Sequence, residues 1–552
     1  MTVFAALVAL FLFCFSFHPF VFADDPKADV VIAADGVSAT IRGYNHSYGL
    51  SFRGIRYAKA PLGDLRFKEA QRNDPQGLIE ALGYGYSCVQ GNGQGNSEDC
   101  LFLNVFSPID TTSSSKLPVY VYIHGGGFVQ GSGNMGAGMY PNLINPGKIV
   151  LVSINYRLGP FGFFSTRDSM ASGNWAISDW VEALNWVQRY ISFFGGDPKT
   201  VTIGGQSSGG EAVSALSLTP LATGLFNRMI IESGSAFGAA VMSYSEKTRN
   251  TSAQLSIRTQ CASQETWGSG SDFGPILNCL RSLTSDQIVQ ADNALPGHRM
   301  KWSLVQDKKW LPQRLEYLAL NRPPYPVLIG DVHDEWLAWE IYDIVNNLNS
   351  NGNSKTGLLN SLATSYEMTY WDNEAAVLYA ANNKYIYSQN LAENDHVDWM
   401  AQRIKLYSEM VFIGPVLRDA RYFSYTKSPV YLYSFDYLSP LALPQITEPK
   451  LRGVQHAWEL QYIFDTNCDG FTCQVQDNQI RSYMGQTWVN FIKQGNPVPS
   501  GSSLPFKWLP MDSSNRYLSI MPTPFQTVQY HADSWFWVCT APTIDGFKAP
   551  FC

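Results

Sequence analysis

Residues 205–209 read Gly-Gln-Ser-Ser-Gly and match the pattern G-x-S-x-G, which can present a reactive serine hydroxyl. A short apolar run at residues 200–203 precedes the pattern, and a helix-compatible segment, residues 208–218, follows it. In such a strand, turn and helix the serine lies on a sharp turn, and the flanking glycines let the backbone approach closely. Ser207 is therefore the candidate nucleophile. Taken alone, the pattern also fits an ordinary Gly/Ser-rich loop.

Residues 124–128, His-Gly-Gly-Gly-Phe, directly follow an apolar run that ends at Ile123. Acyl transfer passes through a tetrahedral intermediate with a negative oxygen, and backbone N–H groups of residues without side chains can approach that oxygen closely. A strand followed by such a loop supplies these donors, together with the N–H of the residue after the nucleophile. The expected oxyanion donors are Gly126, Gly127 and Ser208.

A serine hydroxyl needs a base within hydrogen-bond reach and a carboxylate that orients the base. His456 lies late in the chain, where the order serine, acid, histidine places the base. His124 belongs to the glycine loop. Four other histidines have polar neighbours typical of surface or turn positions: His46, His298, His396 and His531.

The candidate acids follow an apolar run at residues 326–329. Site residues of open sheets lie where such strands end. Residues 330–335 read Gly-Asp-Val-His-Asp-Glu, so three carboxyl groups and His333 are neighbours in sequence. Spacing alone does not choose between Asp331, Asp334 and Glu335.

Short apolar runs that are typical of strands buried on both faces would position these residues. The runs are residues 117–123, 149–154, 201–203, 229–231, 326–329 and 430–433. They predict a mostly parallel sheet covered by helices, and apolar residues at helical spacing from Ile177 to Ile191 predict one such helix. The alternation indicates an α/β fold with right-handed crossovers. Residues 340–425 are expected to form helical inserts over the site.

The chain of 552 residues begins with a segment, residues 2–23, that carries no charged side chain and ends in Val-Phe-Ala. This pattern predicts a secretory signal peptide at residues 1–23 and a secreted, extracellular protein. An uncleaved anchor helix is disfavoured because the apolar core is short and His18-Pro19 interrupts it. Aromatic residues are spread throughout without a low-complexity linker, so residues 24–552 are expected to form a single domain.

Removal of the leader takes Cys14 with it and leaves eight cysteines, an even number that suits the disulfide-permissive secretory route. They form four local pairs: Cys88 and Cys100, Cys261 and Cys279, Cys468 and Cys473, Cys539 and Cys552. Proximity favours bridging within each pair, but spacing alone does not fix the connectivity. Asn45 and Asn250 begin N-glycosylation acceptor patterns.

Net charge and short motifs exclude several other functions. The formal net charge is -7 and no cluster of five or more Lys and Arg occurs, which argues against nucleic-acid partners and a polybasic membrane patch. Residues 540–552 are polar, so no lipid-anchor signal or integral membrane anchor is expected there. Metal-ligand spacings such as C-x-x-C or H-E-x-x-H are absent from the sequence, and we expect no metal or organic cofactor.

Longer motifs are shared with a known family: residues 52–61 with 65–67, 97–105, 173–174, 194–198, and 488–491 with 495–497. In these motifs the chain resembles the type-B carboxylesterases, which include cholinesterases and bile-salt-activated lipases. The resemblance covers nearly the whole mature chain. It implies an α/β-hydrolase fold with a mostly parallel central sheet, helices on both faces and helical inserts over the active site.

The resemblance also implies roles for individual residues. It makes Ser207 the nucleophile, His456 the base and Glu335 the acid of a Ser-His-Glu triad, and it makes Gly126, Gly127 and Ser208 the oxyanion donors. Its loop disulfides correspond to Cys88–Cys100 and Cys261–Cys279, whereas the pairs Cys468–Cys473 and Cys539–Cys552 rest on proximity alone. Family structure further implies a buried ion pair with a structural role, Arg66 with Glu98.

The chain departs from the family pattern at positions close to the site. The family usually has a glutamate before the nucleophile, and Gln206 stands there without the charge. Trp336 replaces a glycine after Glu335, and Val332 replaces an asparagine before it.

Two further departures concern the substrate. The segment between Cys88 and Cys100 contains no tryptophan, whereas cholinesterases hold quaternary ammonium groups by cation–π contact with one. Choline esters are therefore disfavoured. Residues 236–240 are mostly small where cholinesterases narrow the acyl pocket with an aromatic side chain, so we expect a roomier acyl pocket.

The function that these features favour is a secreted serine carboxylic ester hydrolase acting through an acyl-enzyme on a small-molecule or lipid ester. One alternative is a triacylglycerol or steryl ester lipase of the same family. Another is a non-catalytic, cholinesterase-like adhesion or binding protein, and the intact set of serine, acid, base and glycine loop argues against it. The sequence leaves the oligomeric state open.

Overall fold

The computed structural model describes residues 27–34, 36–91, 95–238, 241–243, 247–269, 272–295, 301–365, 367–464, 468 and 472–552. The signal peptide expected at residues 1–23 lies outside this part of the chain.

The strands, in chain order, are β1 (Lys27–Ala34), β2 (Val37–His46), β3 (Gly49–Arg56), β4 (Gly77–Glu80), β5 (Ser87–Cys88), β6 (Asn96–Ser97), β7 (Phe102–Ser107), β8 (Leu117–Ile123), β9 (Val150–Ile154), β10 (Gly196–Gln206), β11 (Arg228–Glu232), β12 (Met242–Ser243), β13 (Leu304–Val305), β14 (Val327–Val332), β15 (Val430–Phe435), β16 (Tyr517–Ile520) and β17 (Phe525–Thr527).

One large sheet runs in the order β1-β2-β3-β7-β9-β8-β10-β11-β14-β15-β16-β17, with β4 paired to β2. Its centre, from β9 to β16, is parallel throughout, and the flanking pairs β1 to β9 and β16 to β17 are antiparallel. All six runs that the sequence analysis assigned to strands lie in the parallel part. The prediction of an α/β fold with a mostly parallel sheet is therefore confirmed.

The α-helices of the described residues connect and cover these strands. Their bounds are Asn145–Gly147, Gly159–Phe163, Trp175–Tyr190, Ser208–Leu218, Lys247–Arg258, Gln264–Ser269, Gly274–Ser282, Ser285–Asn293, Leu315–Leu320, Leu337–Asn346, Lys355–Ala363, Glu374–Asn382, His396–Ser408, Gly414–Tyr425, Leu460–Ile463, Val475–Gln494 and Ala541–Ile544.

The sheet separates two apolar layers. Along β8, Val119, Val121 and Ile123 face one layer and Tyr120 and Tyr122 face the other, as the two-residue period of a strand requires. The helix Trp175–Tyr190, predicted from its apolar stripe, buries its face in the first layer, and the helix Val475–Gln494 buries its face in the second. Because both faces of the sheet are covered, its parallel strands are apolar almost throughout.

Residues 340–425 are largely helical, as expected. A π-helical turn, Glu409–Ile413, joins the helices His396–Ser408 and Gly414–Tyr425 into one continuous run. Such turns rotate the side chains that follow them relative to a regular helix. This one carries Phe412, which packs against the ring of His456.

Disulfides and one buried ion pair close the surface loops. Bonds join Cys88 to Cys100, Cys261 to Cys279, Cys468 to Cys473 and Cys539 to Cys552, which are the expected pairs. Arg66 forms a buried ion pair with Glu98 and also donates to the carbonyl oxygens of Leu280 and Leu283 at 2.8 Å. The ion pair therefore links the N-terminal region to the end of the helix that carries Cys279.

Candidate active site

Ser207 lies on a strained turn between β10 and the helix Ser208–Leu218. Its backbone has φ 58° and ψ -129°, a conformation that non-glycine residues rarely adopt. The Ser207 N–H donates to the Glu232 carbonyl at 2.8 Å, which fixes the turn to the neighbouring strand β11. Among the described residues the Ser207 hydroxyl has no hydrogen-bond partner, and its side chain is partly exposed. This geometry is the sharp elbow that the sequence pattern predicts.

The glycines around Ser207 are required by close backbone contacts. A Cβ atom on Gly205 would lie 2.5 Å from the carbonyl carbon of Gly209. One on Gly209 would clash with the Ile123 carbonyl oxygen, and one on Gly234 with the carbonyl oxygen of Ser207 itself. The elbow can therefore form only because these positions lack side chains.

The glycine loop lies directly against the elbow. A Cβ atom on Gly125 would come 3.1 Å from the Ser207 Cβ and 2.6 Å from the Gln206 carbonyl oxygen. Gly126 and Gly127 have φ angles of 114° and 63°, which favour glycine. In the described part of the chain no acceptor binds the backbone N–H of Gly126, Gly127 or Ser208. The expected oxyanion donors are thus free, and two of them belong to a loop that touches the nucleophile's residue.

His124 fixes the start of the glycine loop. Its ring is buried, stacks on Tyr156 at a centroid distance of 4.4 Å, and bonds through Nδ1 to the Gly125 carbonyl at 2.8 Å. Burial lowers the pKa of His124 to about 4, so the ring is neutral at pH 7. The Tyr156 hydroxyl donates to the His124 carbonyl oxygen at 2.9 Å. These contacts give His124 a positioning role in the loop.

The structure brings His456 together with Glu335. Nδ1 of His456 and Oε2 of Glu335 form a short hydrogen bond, and the His456 N–H donates to the Glu335 carbonyl at 3.3 Å. The other carboxylate oxygen, Oε1, accepts the Val332 N–H at 3.0 Å. Glu335 is fully buried and His456 is 8% exposed. Both oxygens of Glu335 are therefore engaged, and one of them holds the imidazole in place.

Asp334 occupies a different position from Glu335. Its Oδ2 accepts the Val454 N–H at 3.0 Å, and its own N–H donates to the Val454 carbonyl at 3.0 Å. Its Oδ1 lies 3.0 Å from Nδ1 of His333, and this contact raises the pKa of His333 to about 9. Asp334 thus joins the loop of the acid to the loop of the base without touching the imidazole of His456.

Asp331, the remaining candidate, lies near the C-terminal end of β14. Its side chain is fully buried, its Oδ1 is 3.9 Å from Nε2 of His531, and burial raises the pKa of its carboxyl well above the ordinary range. A carboxyl that stays protonated cannot stabilise an imidazolium. The geometry therefore separates the three candidate acids, which the sequence spacing could not do.

The other edge of the His456 ring faces the residue before the nucleophile. The side-chain nitrogen of Gln206 lies 3.2 Å from Nε2 of His456. Trp339 and Phe412 pack on the ring with centroid distances of 5.2 and 4.6 Å. Trp339 lies on the helix Leu337–Asn346 and Phe412 on the turn Glu409–Ile413, so helical segments after the acid cover the imidazole with aromatic side chains.

Trp336, which replaces a family glycine, is accommodated by this aromatic group. Its ring stacks on Trp339 at 4.9 Å and on Tyr407 at 4.7 Å. Its backbone N–H donates to the Ser408 hydroxyl at 2.8 Å, and its ring N–H donates to Glu340 at 2.8 Å. The substitution therefore leaves the contact between Glu335 and His456 intact.

Several buried carboxyls surround the site. Burial raises the pKa of Glu211 and of Glu232 to about 8 and that of Glu459 well above the ordinary range. Trp488 donates to Oε1 of Glu232 at 2.7 Å. At neutral pH Glu211 and Glu232 are therefore mainly protonated, and Glu335 is the carboxylate that bonds to the imidazole. Local sequence did not predict these buried acids, because a buried acid has no signature there.

Of the histidines expected at surface or turn positions, His46 is buried, whereas His531 does lie in a turn, with its ring near other rings. His46 is buried, stacks on Tyr48 at 4.9 Å and bonds to the Ser51 hydroxyl at 2.8 Å. His531 lies 5.5 Å from the His333 ring, and burial lowers its pKa to about 3. His298 lies outside the described residues. Polar neighbours in sequence were a poor guide because tertiary contacts, not chain neighbours, bury these rings.

Other features bear on metals, membranes and glycans. Among the described residues no group of three or more His, Cys, Asp or Glu side chains could hold a metal ion. None of the helices in that part of the chain has the length and apolar character to cross a membrane. Asn45 and Asn250 are exposed.

The parallel sheet, the elbow at the end of β10 and the histidine placed opposite it define an α/β-hydrolase. Comparison with known proteins narrows the class. The model of the carboxylesterase family matches residues 32–537, and the chain belongs to this family. As a member, it is a carboxylic ester hydrolase.

Curated proteins are similar to this chain along most of their length. The chain is 30% identical over 491 residues to a protein named fatty acyl-CoA hydrolase precursor, medium chain, from Anas platyrhynchos, covering 85% of this chain and 84% of that one. It is 31% identical to carboxylesterase 1E of Mus musculus, covering 86% of both chains. It is 30% identical to liver carboxylesterase 1F of Rattus norvegicus, covering 96% of both.

Proposed function

We propose that the protein is a secreted serine carboxylesterase in which Ser207, His456 and Glu335 form the catalytic triad. The observation that carries this proposal is the position of His456, which bonds to buried Glu335 through Nδ1 and faces the serine elbow with Nε2. A base held in this way has its proton on Nδ1 and a free electron pair on Nε2, directed at the nucleophile's turn.

In the first half of the reaction, the Ser207 oxygen attacks the ester carbonyl carbon while His456 Nε2 takes the hydroxyl proton. The carbonyl oxygen becomes negative and is bound by the backbone N–H groups of Gly126, Gly127 and Ser208. The tetrahedral intermediate then breaks its bond to the alcohol, and His456 returns its proton to the leaving alcohol oxygen. An acyl-enzyme on Ser207 remains.

In the second half, water attacks the acyl carbon while His456 takes a proton from the water. Collapse of the second tetrahedral intermediate releases the carboxylic acid, and the proton returns to the Ser207 oxygen. Glu335 stays ionised throughout and stabilises the imidazolium that forms twice in the cycle. All proton transfers are carried by His456, so the cycle needs no metal or organic cofactor.

The substrate that these residues favour is a small-molecule or lipid ester with an acyl chain longer than acetyl. Ala236 is small and buried near the elbow, and the one large side chain of this segment, Phe237, is taken up by stacking on Tyr422 at 5.0 Å. Residues 239 and 240, which the acyl-pocket expectation includes, lie outside the described residues. The name of the duck relative, which specifies medium-chain acyl groups, is consistent with this preference.

Secretion is supported by the leader pattern at residues 1–23, by the disulfides and by the exposed acceptor residues Asn45 and Asn250. Disulfides persist mainly in oxidising compartments. Residues 24–552 then constitute the mature single-domain enzyme.

Hydrolysis rates on p-nitrophenyl and glycerol esters of rising chain length, measured with the wild-type protein and with Ser207→Ala, test the proposal. We expect the wild-type protein to hydrolyse butyryl and longer p-nitrophenyl esters faster than the acetyl ester. We expect Ser207→Ala to reduce the turnover rate by at least about 10⁴-fold. Retained turnover in Ser207→Ala overturns the mechanism. A strong preference for emulsified long-chain glycerol esters over soluble esters identifies the lipase alternative instead.

A further inference from the structure

The Gln206 side chain contacts Nε2 of His456, the nitrogen that must take the proton in the proposed reaction. Gln206 is the last residue of β10, is 4% exposed, and places its amide nitrogen 3.2 Å from Nε2 of His456. Its amide oxygen lies on the side of the glycine loop, 3.3 Å from where a Cβ of Gly125 would be. The amide therefore spans the gap between the base and the oxyanion loop.

The hydrogen-bond pattern defines the direction of this contact. Glu335 accepts the proton on Nδ1 of His456, so a neutral imidazole presents an electron pair at Nε2. Only the N–H side of the Gln206 amide can satisfy that electron pair. The Ser207 hydroxyl, in contrast, has no partner among the described residues.

We propose that Gln206 is a positioning residue that caps the base of the resting protein, and that the Ser207 hydroxyl must displace its amide from Nε2 of His456 before attack. This inference rests on the proposed role of His456 as the base. The amide donor stabilises the neutral imidazole. The same amide donor disfavours the imidazolium, because Nε2 then carries a proton and has no electron pair to accept the amide N–H.

A carboxylate at this position acts in the opposite direction. It cannot donate to a neutral imidazole, and its charge attracts the imidazolium. Where the family pattern has a carboxylate, this chain therefore has a group that stabilises the unprotonated base.

The titratable groups around the imidazole do not mask the effect of the Gln206 amide on its protonation. Glu335 bonds to the imidazole, and the buried carboxyls on the neighbouring elements are Glu211 after the elbow, Glu232 in β11, Asp331 in β14 and Glu459 after the base. Burial raises the pKa of Glu211, Glu232, Asp331 and Glu459, and the two side chains that pack on the imidazole from the described helical segments, Trp339 and Phe412, are uncharged. At neutral pH the field at Nε2 is therefore set mainly by Glu335 and by the Gln206 amide.

The test replaces Gln206 in the full-length protein and follows two quantities. The first is the titration midpoint of the His456 imidazole, measured by NMR with ¹³C-labelled histidine and assigned with His456→Gln. The second is the rate of the acylation burst with p-nitrophenyl butyrate at pH 8. Gln206→Met has nearly the same length without a donor, and Gln206→Glu introduces the carboxylate.

We expect Gln206→Met to raise the midpoint by about 0.5–1 pH unit and to speed the burst about two- to tenfold, since one modest hydrogen bond is removed. Gln206→Glu should raise the midpoint further, by about 1–2 units. A midpoint in Gln206→Met that equals or falls below the wild-type value overturns the proposal, and so does a slower burst. A merely structural role for Gln206 would slow the burst without raising the midpoint.

Gln188→Met is the matched control, because Gln188 also donates two hydrogen bonds, to Pro198 and Leu225 at 2.9 Å, but lies on the helix Trp175–Tyr190. It should leave both quantities unchanged. If turnover does not depend on Ser207, the proposed function fails, and the NMR midpoint of Gln206→Met alone then decides whether the cap exists.

Discussion

Glu335 binds Nδ1 of His456 across a separation of 121 residues, and its second oxygen accepts the N–H of Val332. The carboxylate is thus anchored to the end of β14, the strand that precedes it, and reaches the histidine with the oxygen that remains. Because Glu335 is fully buried, this bond is protected from water and holds the imidazole in one orientation.

Glu335→Gln should reduce kcat by about 10³–10⁴-fold, with a smaller effect on KM. The amide keeps the size of the side chain but carries no charge to stabilise the imidazolium, and it can hold the ring in the wrong tautomer. Steady-state kinetics on p-nitrophenyl butyrate measure the loss, and thermal unfolding checks that the variant is folded.

Asp331→Asn is the control for that experiment. The Asp331 carboxyl is buried, and burial raises its pKa well above the ordinary range, which favours the uncharged form that the amide resembles. We expect kcat within about tenfold of the wild-type value. If Asp331→Asn loses as much activity as Glu335→Gln, the acid has been assigned to the wrong residue.

Gly126→Ala should lower kcat by about 10²–10³-fold, the usual effect of losing an oxyanion donor. Gly126 has φ 114°, and an added Cβ would clash with the Gln130 carbonyl oxygen, so the loop must shift and move its N–H groups. The comparison is Gly224→Ala, where φ is 85° but no atom lies within 4 Å of the added Cβ.

Gly224→Ala should cost about 1–2 kcal/mol in the free energy of unfolding, because a left-handed backbone is strained for alanine, and it should leave kcat unchanged. Equal losses of kcat in the two glycine variants would show that the effect at Gly126 is one of general stability.

Glu211→Gln should stabilise the protein at alkaline pH. Burial raises the pKa of Glu211 to about 8, and its Oε2 has no partner among the described residues. The unfolded chain releases the proton near pH 4.5 and the folded chain near pH 8, so the native state loses stability as pH rises through that window. The amide has no proton to lose. Its gain in the free energy of unfolding should be about 2–4 kcal/mol at pH 8 and close to zero at pH 4.

Urea unfolding of the wild-type protein and of Glu211→Gln at pH 4, 6 and 8 measures this difference. A gain that is the same at all three pH values would contradict the titration of Glu211 as its cause.

His333→Gln should destabilise the protein at pH 6 but not at pH 10. The contact with Asp334 raises the pKa of His333 to about 9, so its contribution to stability is fully present below the ordinary value of about 6.5 and is lost as pH rises through about 9. His333 is exposed, so the effect should be small and should shrink in 1 M NaCl. Thermal unfolding at the two pH values measures it, and a loss at pH 10 equal to that at pH 6 would argue against the ion pair.

Much of the fold followed from local patterns in the sequence. Apolar runs predicted β8, β9, β10, β11, β14 and β15 because strands buried on both faces must be apolar along their whole length. The antiparallel strands β1 and β2 were not predicted, since their alternating burial is a weaker signal than a continuous apolar run. The helix Trp175–Tyr190 was predicted because its apolar stripe repeats at the helical period.

The serine elbow and the glycine loop were predictable from local sequence, because each is a continuous stretch that contains the glycines it needs. The choice among Asp331, Asp334 and Glu335 as the partner of His456 came from the packed structure, and so did the contact of the Gln206 amide with the same ring from 250 positions away. These contacts depend on how β10, β14 and the loop after β15 are aligned in the packed sheet. That alignment arises from the whole core, so no local pattern in the chain could contain it.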